Sequence, residues 1–153
     1  MAVELRNLQR GVPIPYRRIL RTARRTLRDL GRARAEVHLT FVDDALIRRL
    51  NARYLRHRRS TDVLAFPLEA PGPSALWGEI VVSAETARRQ ARRLGVPVGL
   101  ELDLLVVHGL LHLAGYDDGE PREARLMHRR EREMLEKTAS SLPAKLWQGL
   151  LPD

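Results

Sequence analysis

Hydrophobic residues run almost unbroken through one stretch of this 153-residue chain. In VGLELDLLVVHGLLHLA, Val98 to Ala114, the residues Leu100, Leu102, Leu104, Leu105, Val106, Val107, Leu110, Leu111 and Leu113 leave a helix apolar nearly all round. Such a helix is buried within a larger packing, not laid on a surface. Pro97 suits its first turn and Gly115 ends it. Elsewhere the pattern is one-sided. Tyr16, Ile19, Leu20, Ala23, Leu27 and Leu30 form one stripe, which predicts an amphipathic helix from Ile14 to Leu30, stopped by Gly31. Its arginines, Arg17, Arg18, Arg21, Arg24, Arg25 and Arg28, fall on the opposite face, which reads as solvated. EVHLTFV (Glu36 to Val42) alternates and predicts a strand. Asp43 or Asp44 caps a short helix continuing to Tyr54. TDVLAFPLE (Thr61 to Glu69) and WGEIVVS (Trp77 to Ser83) predict two more strands, and Pro67 puts the first at a sheet edge or a strand end. Ser83 caps a helix that stops near Gly95, and Pro121 opens a final helix carrying Ala124, Met127, Met134 and Leu135. The segment before Ile14 and the tail SLPAKLWQGLLPD predict no element.

Length changes the picture by suggesting one domain over residues 1–153, with no repeat, low-complexity tract or linker. The chain is 44% hydrophobic, enough for a real core. Charge adds a class of partner. The net charge is +8, and of the 27 basic residues only Lys137 and Lys145 are lysine. A balance this basic favours anionic partners, nucleic acid first. An arginine habit of this kind also fits genome composition or a hot habitat. There is no cysteine, which excludes disulfides, thiolate catalysis and Cys-ligated zinc. MAVELRNLQRGVPIPYRR has no apolar core of a secretory signal, and no apolar run is long enough to span a bilayer. The expectation is a soluble, cytoplasmic protein without a membrane partner or a nucleotide cofactor.

The buried stretch carries the candidate chemistry. His108 and His112 stand four residues apart, so on a helix they share one face and can aim at one point. Two core histidines would each need partners for both ring nitrogens, and unpaired buried polar groups cost about 1–3 kcal/mol each. One divalent cation satisfies a nitrogen on each ring at once. Gly115 then turns the chain back, and Asp118, six residues after His112, returns a carboxylate to the pair; Asp117 is the rival. Two imidazoles and a carboxylate leave a tetrahedral zinc one open position, the arrangement of a catalytic ion. Of the other histidines, His38 lies mid-strand and reads as packing. His57 is in a basic loop, and His128 reaches the centre only if the last helix folds back. A zinc protease of the H-E-x-x-H kind needs a glutamate where this chain has Gly109.

HGLLHLAGYDD, His108 to Asp118, resembles the signature of the YbeY-type endoribonuclease family, H-G-x-L-H-L-x-G-Y-D-H. The fixed positions agree from His108 through Asp117, and the last, normally histidine, is Asp118. LNARYLRHRRSTDVLAFP (Leu50 to Pro67) is similar to the family's L-N-x-x-Y-R-…-T-D-V-L-S-F-P, and WGEIVVS resembles its G-D-I stretch with Glu79 for Asp. The resemblance covers roughly Phe41 to Leu135. It implies an α+β fold, a small mixed sheet packed against helices around the buried metal-site helix. It implies one zinc ion on His108, His112 and Asp118, the last standing where the family has histidine. A carboxylate there lowers the positive charge of the site and can admit manganese. It further implies a hydrolase: a metal-dependent, single-strand endoribonuclease acting in ribosomal RNA maturation at the small-subunit 3′ end, in ribosome biogenesis and quality control. Its partners are then ribosomal RNA and the small ribosomal subunit. The family's arginine after tyrosine falls on Leu55, which leaves Arg56 as the residue expected to take its catalytic role. Arg53, Arg56, Arg58 and Arg59 are the candidate RNA-binding residues, with Arg88, Arg89, Arg92 and Arg93 as a second patch. Two other readings stay open: a non-catalytic RNA- or ribosome-binding assembly factor with a structural metal, and a zinc hydrolase of another substrate, against which Gly109 argues.

Overall fold

A computed structural model of the chain describes residues 3–55, 62–68, 76–139 and 141–150. Among the described residues, four strands form one mixed sheet: β1 (Val3–Asn7), β2 (Glu36–Val42), β3 (Val63–Pro67) and β4 (Leu76–Ser83), in the order β1-β2-β4-β3. β2 is parallel to both β1 and β4, and β3 closes the edge antiparallel to β4. Leu39 lies opposite both Leu5 and Ile80. The described residues also form five α-helices: α1 (Tyr16–Asp29), α2 (Asp44–Leu50), α3 (Ala84–Leu94), α4 (Val98–Leu113) and α5 (Pro121–Glu136). The fold is α+β, as the resemblance implied. Pro67 ends the edge strand, where its missing N–H breaks no ladder.

α4 is the centre of the packing. Every residue from Leu100 to Leu111 is buried. Leu102, Leu105, Val106 and Leu110 pack with Ile19, Ala23 and Leu27 of α1 and with Val37, Leu39, Phe41, Ile80 and Val82 of the sheet. Leu100, Leu104, Val107 and Leu111 pack with α3 and α5 through Ala91, Leu94, Met127, Met134 and Leu135. A smaller cluster joins Ile47 of α2 to Val42, Leu64 and Val81, the alternate positions of the strands. The approach of α4 to β4 is close enough to require glycine. A Cβ on Gly109 would lie 2.8 Å from Ile80 Cγ2, and one on Gly78 would lie 2.6 Å from Leu113 Cδ2 and 2.9 Å from the Phe66 carbonyl oxygen. Gly109 is thus a packing residue, and the glutamate of a zinc protease has no room there.

Local differences from the sequence reading have physical causes. The helix expected to reach Tyr54 ends at Leu50 and widens into a π-helical turn, Asn51–Leu55. β1 was not anticipated; VELRN is short and gains its stability from pairing with β2. The tail forms a 3₁₀ turn, Ala144–Gly149, anchored by the fully buried Leu146. Arg18, placed on the solvated face of α1, instead donates its Nε–H to Asp103 Oδ2 at 2.7 Å, and Thr22 Oγ1 lies 3.2 Å from Asp103 Oδ1. That pairing lets α4 carry an aspartate inside the core.

Asp43 is the cap of α2, accepting from the Leu46 N–H at 2.8 Å. Asp44 ties α2 to α3, accepting from Ser83 Oγ at 2.6 Å, Thr86 Oγ1 at 2.5 Å and Arg89 Nη1 at 2.6 Å. Burial opposes the charge of its carboxylate, but these hydrogen bonds and the guanidinium outweigh it and hold the pKa down at about 2. A carboxyl whose pKa is depressed by folding stabilises fully above its unfolded value, and that contribution is lost as pH falls through the folded value. Asp44→Asn is therefore expected to lower stability by about 1–3 kcal/mol at neutral pH. The gap between variant and wild type should close as pH falls from about 4 toward about 2. Urea unfolding across that range measures it, and a gap that does not change with pH contradicts the assignment.

Candidate metal centre

The two histidines of α4 lie one helical turn apart. His108 is almost wholly buried, while His112 is about a quarter exposed, so the centre opens toward solvent on the His112 side. Their Nε2 atoms stand 3.1 Å apart, with the rings nearly perpendicular at 87°. The helix ends in a tight reversal. Gly115 has φ 101°, a conformation strained for any side chain, and its N–H bonds to the His112 carbonyl at 3.0 Å. The turn brings Asp118 over the pair, with Oδ2 at 3.5 Å from His108 Nε2 and Oδ1 at 3.7 Å from His112 Nε2. His108, His112 and Asp118 thus form a candidate metal-binding group.

Hydrogen bonding fixes what the facing nitrogens are. His112 Nδ1 lies 3.0 Å from the carbonyl oxygen of Tyr116, which can only accept. His108 Nδ1 lies 2.5 Å from Glu131 Oε2, a carboxylate oxygen. Both Nδ1 atoms therefore carry the proton, and in the neutral rings both Nε2 atoms present lone pairs to each other and to Asp118. Three such donors repel unless a positive charge lies among them. Ligands about 2.0–2.2 Å from a tetrahedral divalent cation stand about 3.3–3.6 Å apart. The Nε2 atoms lie 3.1 Å apart, Asp118 Oδ2 lies 3.5 Å from His108 Nε2, and one ligand atom from each of the three residues lies within 4.8 Å of the others, so these side chains could hold such an ion.

The field around the centre is negative. Burial pushes the His108 imidazolium toward its neutral form, but the hydrogen bond and charge of Glu131, then Asp118 and Asp62, outweigh burial and raise its pKa. Asp62, itself buried, also acts on Glu101, two helical turns before His108 on α4. Burial first, then the Asp62 charge, pushes the Glu101 carboxyl up to about 8, so it is mostly protonated at neutral pH. Cation binding is the response that suits a site of this sign.

Glu131 is the residue the sequence reading missed. It is fully buried on α5, and it also accepts from His128 Nδ1 at 2.7 Å and from Trp147 Nε1 at 3.1 Å. Burial raises its pKa, yet the hydrogen bonds from His108 and His128 bring the net value below the usual carboxylate range. The available signal was a glutamate on the stripe Met127, Glu131, Met134, Leu135, where only apolar residues were expected. His128 joins the surroundings of the centre through Glu131 and stands outside the candidate metal-binding group. Asp117 is exposed and accepts from the Asp118 and Gly119 N–H groups at 2.8 and 3.3 Å, so it shapes the turn.

The remaining sequence candidates divide. Arg53 is exposed on the π-helical turn, whereas Arg56, His57, Arg58 and Arg59 lie outside the described residues. The second arginine patch is mostly structural: Arg88 bonds the Gly11 carbonyl, Arg89 bonds Asp44, and Arg93 bonds Gln90. His38, expected to pack, is partly buried, with Nε2 3.3 Å from Glu4 and 3.5 Å from Glu36. Among the described residues, no helix is long and apolar enough to cross a membrane.

Three comparisons bear on this geometry. A family model described as Endoribonuclease YbeY matches residues 4–139. A Syntrophus aciditrophicus protein named Endoribonuclease YbeY is 40% identical over 141 residues, covering 88% of each chain. One of that name from Anaeromyxobacter sp. is 47% identical over 119 residues, 77% of this chain and 62% of that protein. The solution structure of a Thermotoga maritima protein superposes with a TM-score of 0.59 at 26% identity, over 89% of this chain and 88% of the other.

Substitution tests the group directly. His108→Ala and His112→Ala are each expected to lose the bound ion and to melt lower than wild type, with little further effect of a chelator. Asp118→Ala should weaken metal binding strongly and Asp117→Ala much less. Asp118→His should keep or raise zinc affinity. Metal counts and melting curves with and without chelator read these outcomes; a His108→Ala protein that retains one equivalent of metal contradicts the assignment.

Proposed function

This chain belongs to the endoribonuclease YbeY family, and we propose that it is a metal-dependent endoribonuclease acting on ribosomal RNA. The observation that carries the metal reading is the pair of Nε2 atoms facing each other 3.1 Å apart beneath a carboxylate, with both Nδ1 atoms engaged by acceptors. His108, His112 and Asp118 hold the ion, zinc by donor type, with manganese admitted by the carboxylate. A bound divalent cation here supplies Lewis acidity, polarising a phosphodiester oxygen and easing loss of a proton from water.

The chain's own residues do the rest. The buried Glu131 holds the His108 ring in one tautomer, and the Tyr116 carbonyl does the same for His112. The exposed side of His112 leaves a path by which a single strand reaches the centre. Arginine side chains supply most of the affinity through phosphate contacts, and Arg53, Arg56, Arg58 and Arg59 are the residues this reading assigns to them. Arg56 stabilises charge on the phosphate in place of the family's arginine, whose position is Leu55. Maturation of the small-subunit RNA 3′ end and ribosome quality control, in the cytoplasm, are the setting this reading assigns.

Cleavage of a single-stranded RNA by the purified protein is expected to stop on full chelation and to return with added zinc. Binding should weaken steeply with salt, with a log–log slope of about −0.7 per phosphate neutralised. Reversal of Arg56, Arg58 and Arg59 to glutamate should reduce binding in a protein that still folds. Cleavage that survives complete metal removal sinks the metal-dependent reading. Binding without cleavage under any metal condition supports instead an assembly factor with a structural ion.

A further inference from the structure

Glu131 receives three N–H donors, and one of them comes from the far end of the chain. Its Oε2 takes the proton of His108 Nδ1, while its Oε1 takes those of His128 Nδ1 and Trp147 Nε1. Trp147 sits on the 3₁₀ turn Ala144–Gly149, beyond residue 139 where the family match stops. That turn is seated firmly: Leu146 is fully buried against α3, α4 and α5, and the Arg132 guanidinium lies 4.3 Å over the Trp147 ring. The indole has two χ angles and a donor whose direction follows from the ring, so a seated ring gives a fixed hydrogen bond. A carboxylate that orients a metal-binding imidazole is effective only if it is itself held.

We propose that Glu131 is a positioning residue for the metal centre and that Trp147, together with His128, locks it. The inference rests on the reading that an ion sits on His108, His112 and Asp118. Trp147 fixes the carboxylate, the carboxylate fixes the tautomer and plane of the His108 ring, and the ring presents its Nε2 lone pair to the ion. The C-terminal turn is thereby part of the centre, although it contributes no ligand.

The test is Zn²⁺ affinity of the full chain, measured by competition with a chromophoric chelator, alongside the melting temperature of the metal-free protein. Glu131→Gln is expected to weaken Zn²⁺ binding about 10–100-fold, and Trp147→Phe, which keeps a ring beneath Arg132 but loses the N–H, about tenfold. The double variant should bind about as weakly as Glu131→Gln alone, because the indole acts only through the carboxylate. Metal-free Trp147→Phe should melt close to wild type, a result that a merely structural tryptophan would not give. In the unaltered protein, the indole N–H resonance of Trp147 should shift on adding Zn²⁺ while that of Trp77 stays in place. Wild-type affinity in Trp147→Phe, fully multiplicative losses in the double variant, or an unmoved Trp147 resonance each overturn the proposal while leaving the metal site standing. Failure of wild type to take up Zn²⁺ removes the site and this inference together.

Discussion

Two imidazole Nε2 atoms 3.1 Å apart beside a carboxylate require a positive charge among them, a shared proton or a metal cation. The organisation around the centre follows from meeting that requirement in a buried place. α4 must be deep enough to shield His108, so it is apolar nearly all round and flanked by α1, α3, α5 and the sheet. It must also press onto β4, and Gly109 against Ile80 and Gly78 against Leu113 permit the contact. The reversal at Gly115 then supplies both the carbonyl that orients His112 and the carboxylate of Asp118. A single turn of chain thus delivers one orienting group and one candidate ligand.

The parts legible in the sequence were those governed by local spacing. The i, i+4 histidine pair, the all-round apolar helix, the Ser83 cap and the Gly95 stop need only nearby residues, and each stands where it was expected. Glu131 was missed because its partner His108 is 23 residues away and α5 reads as an ordinary amphipathic helix. A charged residue on an apolar stripe was the visible sign. Trp147 and β1 were missed for a related reason: short segments with little pattern of their own are defined by what they pair with. Gly109 was read correctly as the absence of a catalytic glutamate, but its cause, the Ile80 contact, lies across the sheet.

The arginines teach a complementary lesson. Sequence alone assigned them by face, as solvated or as nucleic-acid patches. Arg18 turns inward to Asp103, and Arg89 locks Asp44 between α2 and α3, so part of the basic excess belongs to the scaffold. Arg17, Arg21, Arg24, Arg25 and Arg28 remain on the exposed face of α1. The arginine-rich composition therefore overstates the number of arginines free to meet phosphate and hides their part in holding the helices together. Membership of the endoribonuclease family points to RNA as the anionic partner, and the negative field around His108 is of the sign that favours a cation at the candidate group.

The most direct test is imidazole ¹⁵N NMR of the histidine-labelled protein during a Zn²⁺ titration. His108 and His112 are both expected to carry the proton on Nδ1, and both Nε2 resonances are expected to shift together and saturate at one equivalent of zinc. A protonated Nε2 that persists on either ring at saturation, or two rings that do not respond to zinc, would contradict the metal assignment.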